Sequence, residues 1–371
     1  MAADDIPISG ETDQRFAPVR AAFAANFENG DDLGACFAVC VDGDLVVDLR
    51  GGHTNRKREQ AWSEETLACV YSTGKAVCAL LIAFEAARGA IDYEAPVAQY
   101  WPEFAAAGKE HVTVGEALSH QAGLCGFPEQ MDPAEWLNWD LICARLAAMA
   151  PLWEPATASG YHPQTYGFIA GELLRRVTGK TVGALLSDHR DQAGVQIFCG
   201  MGSLEAARTA QMPKPPRAPD LGQMNAYKEA AFLKPWSAPA RVSREAWLAA
   251  EMPASNMHAD ASSLARFLTP FVTDDAPLDA ATKEAALRDR INGSDLVLPF
   301  DLTWAAGVMR NTAGHFGPSE TAFGHAGFGG SCVVFDPAHR MTLAYVMNKM
   351  SPHLVGDPRA LRLIDAVYAC L

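Results

Sequence analysis

Residues 76–89 read AVCALLIAFEAARG, and the run Ala76–Phe84 contains no polar side chain. A surface helix keeps a polar face for water; one without it has to be enclosed on all sides. The stretch therefore predicts a central helix, ended by Gly89, in a chain large enough to wrap it. At about half the length that crosses a bilayer, it is not a membrane span. The 371 residues suffice for two packed domains, or for one large domain with an insertion.

Charge and cysteine usage narrow the class. With 44 acidic against 30 basic side chains, the formal net charge is −14, which repels a duplex or an anionic membrane. Neither nucleic acid nor membrane is expected as a partner. The opening MAADDIPISGETD is acidic and lacks an apolar core, so it reads as neither a secretory signal nor an anchor. The nine cysteines form no CxxC and show no zinc-ligand spacing, and no HExxH occurs. A reduced, cytoplasmic setting without a metal is expected.

Hydrophobic periodicity sets the organisation. Phe16, Val19, Phe23 and Phe27 recur at helical spacing, then GACFAVCV and DLVVDLRGG flank the hairpin signal Asp42–Gly43. A short strand near 67–70 leads into the central helix. Helical patterns follow at 133–149, 165–178, 244–252, 258–271 and 279–290, and a proline-rich loop spans 205–243. A loop that long inside a compact domain points to a lid or a binding wall. Strand patterns return in LTWAAGVMRN, TAFGHAGFGG, SCVVFDP and MTLAYVMNK, with DPAHR as a turn, and a last amphipathic helix carries Leu361, Ile364 and Val367. The fold class is α+β: an antiparallel sheet built from both termini, flanked by the N- and C-terminal helices, with a mostly helical insertion. The expected division is 1–90 with 300–371 for the sheet, and 91–299 for the helical part.

Several catalytic signatures are absent. There is no GxSxG, no GxxxxGK[ST], and no GxGxxG opening a helix after a strand. What remains is Ser72-Thr73-Gly74-Lys75, at the junction of strand and central helix. Helix N–H groups and the dipole favour an anion there, and Lys75 lies one turn beyond Ser72 on the same face. An amine leading an apolar run is expected to be buried, and burial lowers a lysine pKa towards that of a useful base. The same residues also fit a Ser72 N-cap with Lys75 reaching to the surface. Tyr161, in a loop entering the 165–178 helix, is a proton-transfer candidate, or a core aromatic with a satisfied hydroxyl. Glycine weakens a strand unless something must approach its backbone, so Gly324-His325-Ala326-Gly327-Phe328-Gly329-Gly330 suggests a substrate-facing strand.

The order SxxK, tyrosine loop, then His-x-Gly strand resembles that of the serine β-lactamase and penicillin-binding protein superfamily, and within it the family VIII carboxylesterases. VTVGEALSHQAGL (112–124), SGYHPQTYGFIAGELLRRVTGK (159–180), MPASNMHADASSLARF (252–267) and GHAGFGGS (324–331) carry the resemblance from about residue 16 to the end. It implies a β-lactamase/transpeptidase-like fold, with Ser72 as nucleophile and Lys75 with Tyr161 as the proton-transfer pair. It further implies an oxyanion hole from the backbone N–H groups of Ser72 and Phe328, with His325, Ala326 and Gly327 along the acyl group. No metal or cofactor is implied. Tyr161-His162-Pro163 lacks the carboxamide of the lactamase Tyr-x-Asn, and His325-Ala326-Gly327 lacks the ammonium and hydroxyl of Lys-Thr-Gly. Both departures favour an uncharged small-molecule ester over an anionic amide. The implied activity is short-chain carboxylic ester hydrolysis through an acyl-enzyme, with weak β-lactam hydrolysis. A β-lactamase or D-Ala-D-Ala peptidase, an acyltransferase and a non-catalytic binding protein of the same fold are the alternatives.

Other residues carry less. His120 and His162 read as structural, and Arg56, Lys57 and Arg58 as a solvated turn. Trp136, Trp139, Trp153 and Trp236 are either core or an apolar pocket, with Trp153 and Trp236 taken as the substrate-binding pair. A Ser331–His325–Asp triad fits poorly, because six residues in one strand region separate the serine from the histidine.

Overall fold

The computed structural model describes residues 6–233, 242–274 and 277–371. Its main sheet has strands β1 (Ile8–Thr12), β2 (Gly34–Val41), β3 (Asp44–Gly52), β7 (Ile291–Ser294), β8 (Asp301–Trp304), β9 (Met309–Arg310), β10 (Phe323–Ala326), β11 (Cys332–Asp336) and β12 (Met341–Met347). They lie in the order β1-β3-β2-β12-β11-β10-β9-β8-β7, and every neighbouring pair is antiparallel. A small second sheet, β4 (Ala68–Cys69), β6 (His258–Ala259) and β5 (Ile197–Phe198), runs in the order β4-β6-β5.

Strand β2 shows why its sequence is apolar at nearly every position. Ala35, Phe37 and Val39 face one core with Phe23, Phe27, Leu363 and Val367. Cys36, Ala38 and Cys40 face the other, with the central helix. A strand buried on both faces has no polar alternation to show. Asp42 (φ 53°) and Gly43 (φ 90°) both adopt left-handed backbone at the turn joining β2 to β3, as their hairpin signal requires. On one face, helix α1 (Ala17–Glu28) packs against the C-terminal helix Pro358–Tyr368. On the other, helix α2 (Gly74–Ala87) and the Ala261–Leu268 helix cover the sheet.

Helix α2 is central, and every residue from Gly74 to Glu85 is buried. Full burial of Val77, Leu80, Leu81, Ile82 and Phe84 contributes roughly 1.5–3 kcal/mol per side chain. That outweighs the lack of any side-chain N-cap on the helix. Among the described residues no helix is long and apolar enough to cross a membrane.

Several elements differ from their sequence pattern. Strand β1 was hidden in a polar opening; it is an edge strand paired with β3 from Ile8↔Gly51 to Thr12↔Val47. The 133–149 pattern breaks at Asn138, whose side chain caps a shorter helix, Trp139–Ala148. The 258–271 pattern opens as β6 before Asp260 caps the Ala261–Leu268 helix. The Val182–Ala193 helix, capped by Thr181, had no counterpart in the periodicity reading. Strand β7 precedes residue 300, and Asn292 and Gly293 leave it little strand character in sequence.

A buried ion cluster fastens the C-terminal helix to the sheet. Arg359 lies 3.0 Å from Asp32 and 2.7 Å from Asp357, all three side chains being almost fully buried. Its guanidinium also donates to the carbonyls of Lys349 (2.6 Å) and Gly329 (2.8 Å), and the Tyr345 hydroxyl donates to Asp32 (2.6 Å). Removing the cation alone strands two buried carboxylates. Arg359→Met is therefore expected to lower the unfolding free energy by about 3–5 kcal/mol in urea titration. A loss below about 1 kcal/mol contradicts this view of the cluster.

Candidate active site

Ser72 stands where three chain segments meet. Ahead of it, the Val70 N–H donates to Met257 O (2.9 Å), drawing this segment alongside residues 254–257. Tyr71 then takes left-handed backbone (φ 45°), rare for a bulky residue, and a short 3-10 turn, Tyr71–Thr73, feeds directly into α2. A Cβ on Gly74 would fall 2.7 Å from Pro253 O, so this junction requires glycine between Ser72 and Lys75.

Lys75 is fully buried. Its Nζ lies 3.0 Å from Ser72 Oγ, 2.8 Å from Pro163 O and 3.4 Å from Ala254 O. Two of these neighbours are carbonyls, which only accept. The Ser72 hydroxyl accepts from Nζ and in turn donates to Ala254 O (3.4 Å). Burial pushes the Lys75 pKa well below its ordinary value, with no carboxylate beside it to oppose the shift. Proximity to Ser72 and burial together mark Lys75 as the candidate base.

Tyr161 is buried with its ring 4.8 Å from Lys75 Nζ. Burial raises its phenol, and the Ser72 hydroxyl opposes that shift only in part. The phenol therefore stays protonated, a donor rather than a base. Its ring lies parallel to Trp304 at 5.8 Å, and its backbone N–H donates to Asp295 Oδ1 (2.9 Å). The same carboxylate accepts from the N–H groups of Val297 and Leu298 (both 2.9 Å) and from Trp304 Nε1 (3.2 Å). Asp295 thus pins the tyrosine segment to the sheet side.

His325, on β10, is fully buried, and its ring centroid is 6.0 Å from that of Tyr161. Burial, with Lys75 nearby, pushes its pKa down to about 3. The ring is neutral at pH 7. After β10 the chain turns so tightly that a Cβ on Gly327 would meet Val70 O at 2.1 Å. That approach holds the Phe328 turn against the Ser72 junction, and the Tyr71 and Phe328 rings meet edge to face at 5.6 Å.

Ser72, Tyr161, His325, Ala326 and Phe328 all line one cleft of about 280 Å³. Its walls are mostly apolar, including Pro219, Leu221, Phe232, Leu298, Leu354 and Val355, and among the described residues none that lines it is charged. The proline-rich loop supplies one wall, from Ala218 to Leu233. Lys75 sits beneath the floor.

Other candidates fall elsewhere. Trp153 does not line the cleft: its indole N–H donates to Ala158 O (3.0 Å) and its ring packs on His162 and Tyr227, behind the Tyr161 segment. Gly327 lines a small neighbouring recess instead. Trp236 lies outside the described residues. Trp136 is sealed in the core against Phe127 and Phe168, and Trp139 packs on Phe168. Ser331 donates to Val70 O (2.9 Å) and meets Thr73 Oγ1 at 3.1 Å, so it braces the nucleophile junction and makes no triad with His325. His162 bridges Gly160 O (2.6 Å) and the Leu124 N–H (3.1 Å), and the His162 N–H donates to His120 Nδ1 (3.2 Å). Sequence reasoning overlooked Asp295, Trp304, Gln164 and Ser255; Gln164 and Ser255 lie inside the strings that carry the resemblance, but nothing there singled them out. Among the described residues no cluster of His, Cys, Asp or Glu could hold a metal ion.

The chain is similar to known proteins along nearly its whole length. Residues 21–367 match the family described as Beta-lactamase. The chain is 32% identical to "Esterase/beta-lactamase LipL" of Mycobacterium tuberculosis, over 94% of this chain and 85% of that protein. Among solved structures, a penicillin-binding protein homolog from Caulobacter crescentus superposes with a TM-score of 0.95 at 47% identity, covering 98% of this chain and 100% of that one. A family VIII carboxylesterase superposes with a TM-score of 0.91 at 38% identity, with the same coverage.

The buried histidines make a prediction about stability. Burial pushes His162 and His325 down to about 3, His258 to about 4, and His120 well below its ordinary 6.5. As pH falls below about 6.5, the unfolded chain takes up protons that these native rings refuse, so stability is lost on acidification. Each ring contributes a slope of up to about 1.4 kcal/mol per pH unit until its native pKa is reached. Urea unfolding is expected to show a steep decline from pH 7 to pH 5, and His162→Gln is expected to make it shallower. Equal stability at the two pH values contradicts the burial of neutral rings.

Proposed function

Because the chain belongs to the beta-lactamase family, we propose that its cleft hydrolyses short, uncharged carboxylic esters through an acyl-enzyme on Ser72. The class of reaction is that of a carboxylic ester hydrolase among the serine hydrolases. The observation that carries the substrate reading is the uncharged lining of the cleft among the described residues, with a neutral His325 in it. An anionic substrate would leave its hydration shell without gaining a counter-charge. A β-lactamase or peptidase reading, which needs a carboxylate held in place, finds no cation among the described residues of that lining. The acyltransferase and non-catalytic readings are not favoured by the esterase-named relatives.

The neutral Lys75 amine takes the Ser72 proton as Oγ attacks the ester carbonyl. The tetrahedral oxyanion forms between the backbone N–H groups of Ser72 and Phe328; each such donor is worth about 10²–10³ in rate. The leaving alkoxide takes a proton from the Tyr161 phenol, which Lys75 re-protonates. Water then enters, loses its proton to the same pair, and releases the acid.

With p-nitrophenyl esters of increasing acyl length, turnover is expected to be highest for short chains. Ser72→Ala is expected to lose at least about 10³-fold in kcat, and Lys75→Met and Tyr161→Phe about 10²–10⁴-fold each. Wild-type turnover by Ser72→Ala contradicts the nucleophile assignment; full activity in either of the others contradicts the proton relay.

A further inference from the structure

Two polar side chains in the cleft are used by nothing in the fold. The carbonyls of Pro163 and Ala254 hold the Lys75 amine. The residues that follow them, Gln164 and Ser255, both line the cleft. Gln164 is 6% exposed and Ser255 3% exposed. Among the described residues, Gln164 Oε1 and Ser255 Oγ are buried without any hydrogen-bond partner. Leaving such a group unpaired costs about 1–3 kcal/mol, so a fold rarely keeps one without a use for it.

Local structure offers no such use. Gln164 precedes the Thr165–Thr178 helix, but its side chain caps no N–H of that helix. Ser255 already has its backbone N–H bonded to Met252 O (2.8 Å), and its hydroxyl adds nothing to that turn. The two groups come from different segments, yet each is one residue from a carbonyl that seats the catalytic amine. They therefore sit beside the reacting centre and not at the cleft mouth. Of the other lining residues, His325 also keeps a buried Nε2 without a partner, whereas Leu298, Leu354 and Val355 are apolar.

We propose that Gln164 and Ser255 form a polar subsite for the acyl group, selecting esters whose acyl chain carries an uncharged hydrogen-bonding function such as a ketone or an amide. A carboxamide and a hydroxyl both donate and accept, so together they satisfy a carbonyl oxygen and, in an amide, its N–H. A charged group is not served, because neither side chain brings a counter-ion. This subsite rests on the reading of Ser72 as the nucleophile. It specifies which esters that nucleophile prefers.

The test compares three p-nitrophenyl esters of equal chain length: pentanoate, 4-oxopentanoate and N-acetylglycinate. Intrinsic reactivity differs among them, so the readout is the ratio of kcat/KM for each polar ester to that for pentanoate, in wild type and variants. Gln164→Met is expected to lower that ratio about three- to tenfold, the worth of one neutral hydrogen bond. Ser255→Ala is expected to lower it in the same direction. Neither variant removes a partner from the folded chain, so the Tm is expected to hold or rise. Ratios unchanged in both variants, with Ser72→Ala inactive on all three esters, overturn the subsite and leave the nucleophile standing. Turnover surviving in Ser72→Ala overturns the nucleophile reading itself.

Discussion

The position of one buried amine organises this molecule. An amine without water needs acceptors from the protein, and Lys75 takes them from Pro163 and Ala254, residues far apart in sequence. Each acceptor carries a structure with it. Pro163 brings the Tyr161 segment and the helix behind it; Ala254 brings the chain that pairs with residues 68–70 through β6 and Met257. The apolar helix α2 closes the remaining sides. Sealing a lysine inside the core thus brings Lys75, Ser72 and Tyr161 together, and the same burial lowers the lysine pKa towards the form the proposed base needs.

The opposite wall of the site is held from two directions. On the side of the nucleophile, Gly327 lets the β10–β11 turn approach Val70 O, and Ser331 bonds the same carbonyl. On the far side, Arg359 and the Ser351 N–H both donate to Gly329 O. Phe328 lies between these anchors. If the Phe328 N–H meets the oxyanion as proposed, it works by being placed in advance, and an ion cluster remote from the cleft bears on its geometry.

What the sequence made legible follows from what periodicity and motif can encode. The central helix, the β2–β3 hairpin and the 165–178 helix each carry a local signal, and each appears where that signal lies. The proximity of Ser72, Lys75 and Tyr161 was readable because a known arrangement of strings pointed to it. Asp295 was not: a carboxylate in GSDLVLPF looks like any turn acid, and its role arises only when Tyr161, Trp304 and its own loop converge. Gln164 escaped for a related reason. The motif reading stopped at Pro163, and an unpartnered carboxamide is visible only once its surroundings are known. Trp153 misled in the opposite sense, since a large aromatic beside a motif suits a pocket and a core equally well, and here it supports the Tyr161 segment from behind.

The neutral cleft also bears on which half of the reaction the protein has to assist. An ester carbonyl is readily attacked, and an alkoxide leaves with less help than an amine, so the demand falls on generating the serine nucleophile and on holding the oxyanion. A desolvated lysine meets the first demand without a carboxylate partner, because burial alone lowers its pKa. The same desolvation keeps Tyr161 protonated and the His325 ring neutral. One physical condition, exclusion of water around Lys75, therefore underlies the base, the acid and the substrate preference proposed for the site. A fixed cation placed in the cleft to grip an anionic substrate would sit near these buried groups. It would depress the lysine further and draw the phenol down towards ionisation, changing the very protonation states on which the proposed chemistry depends.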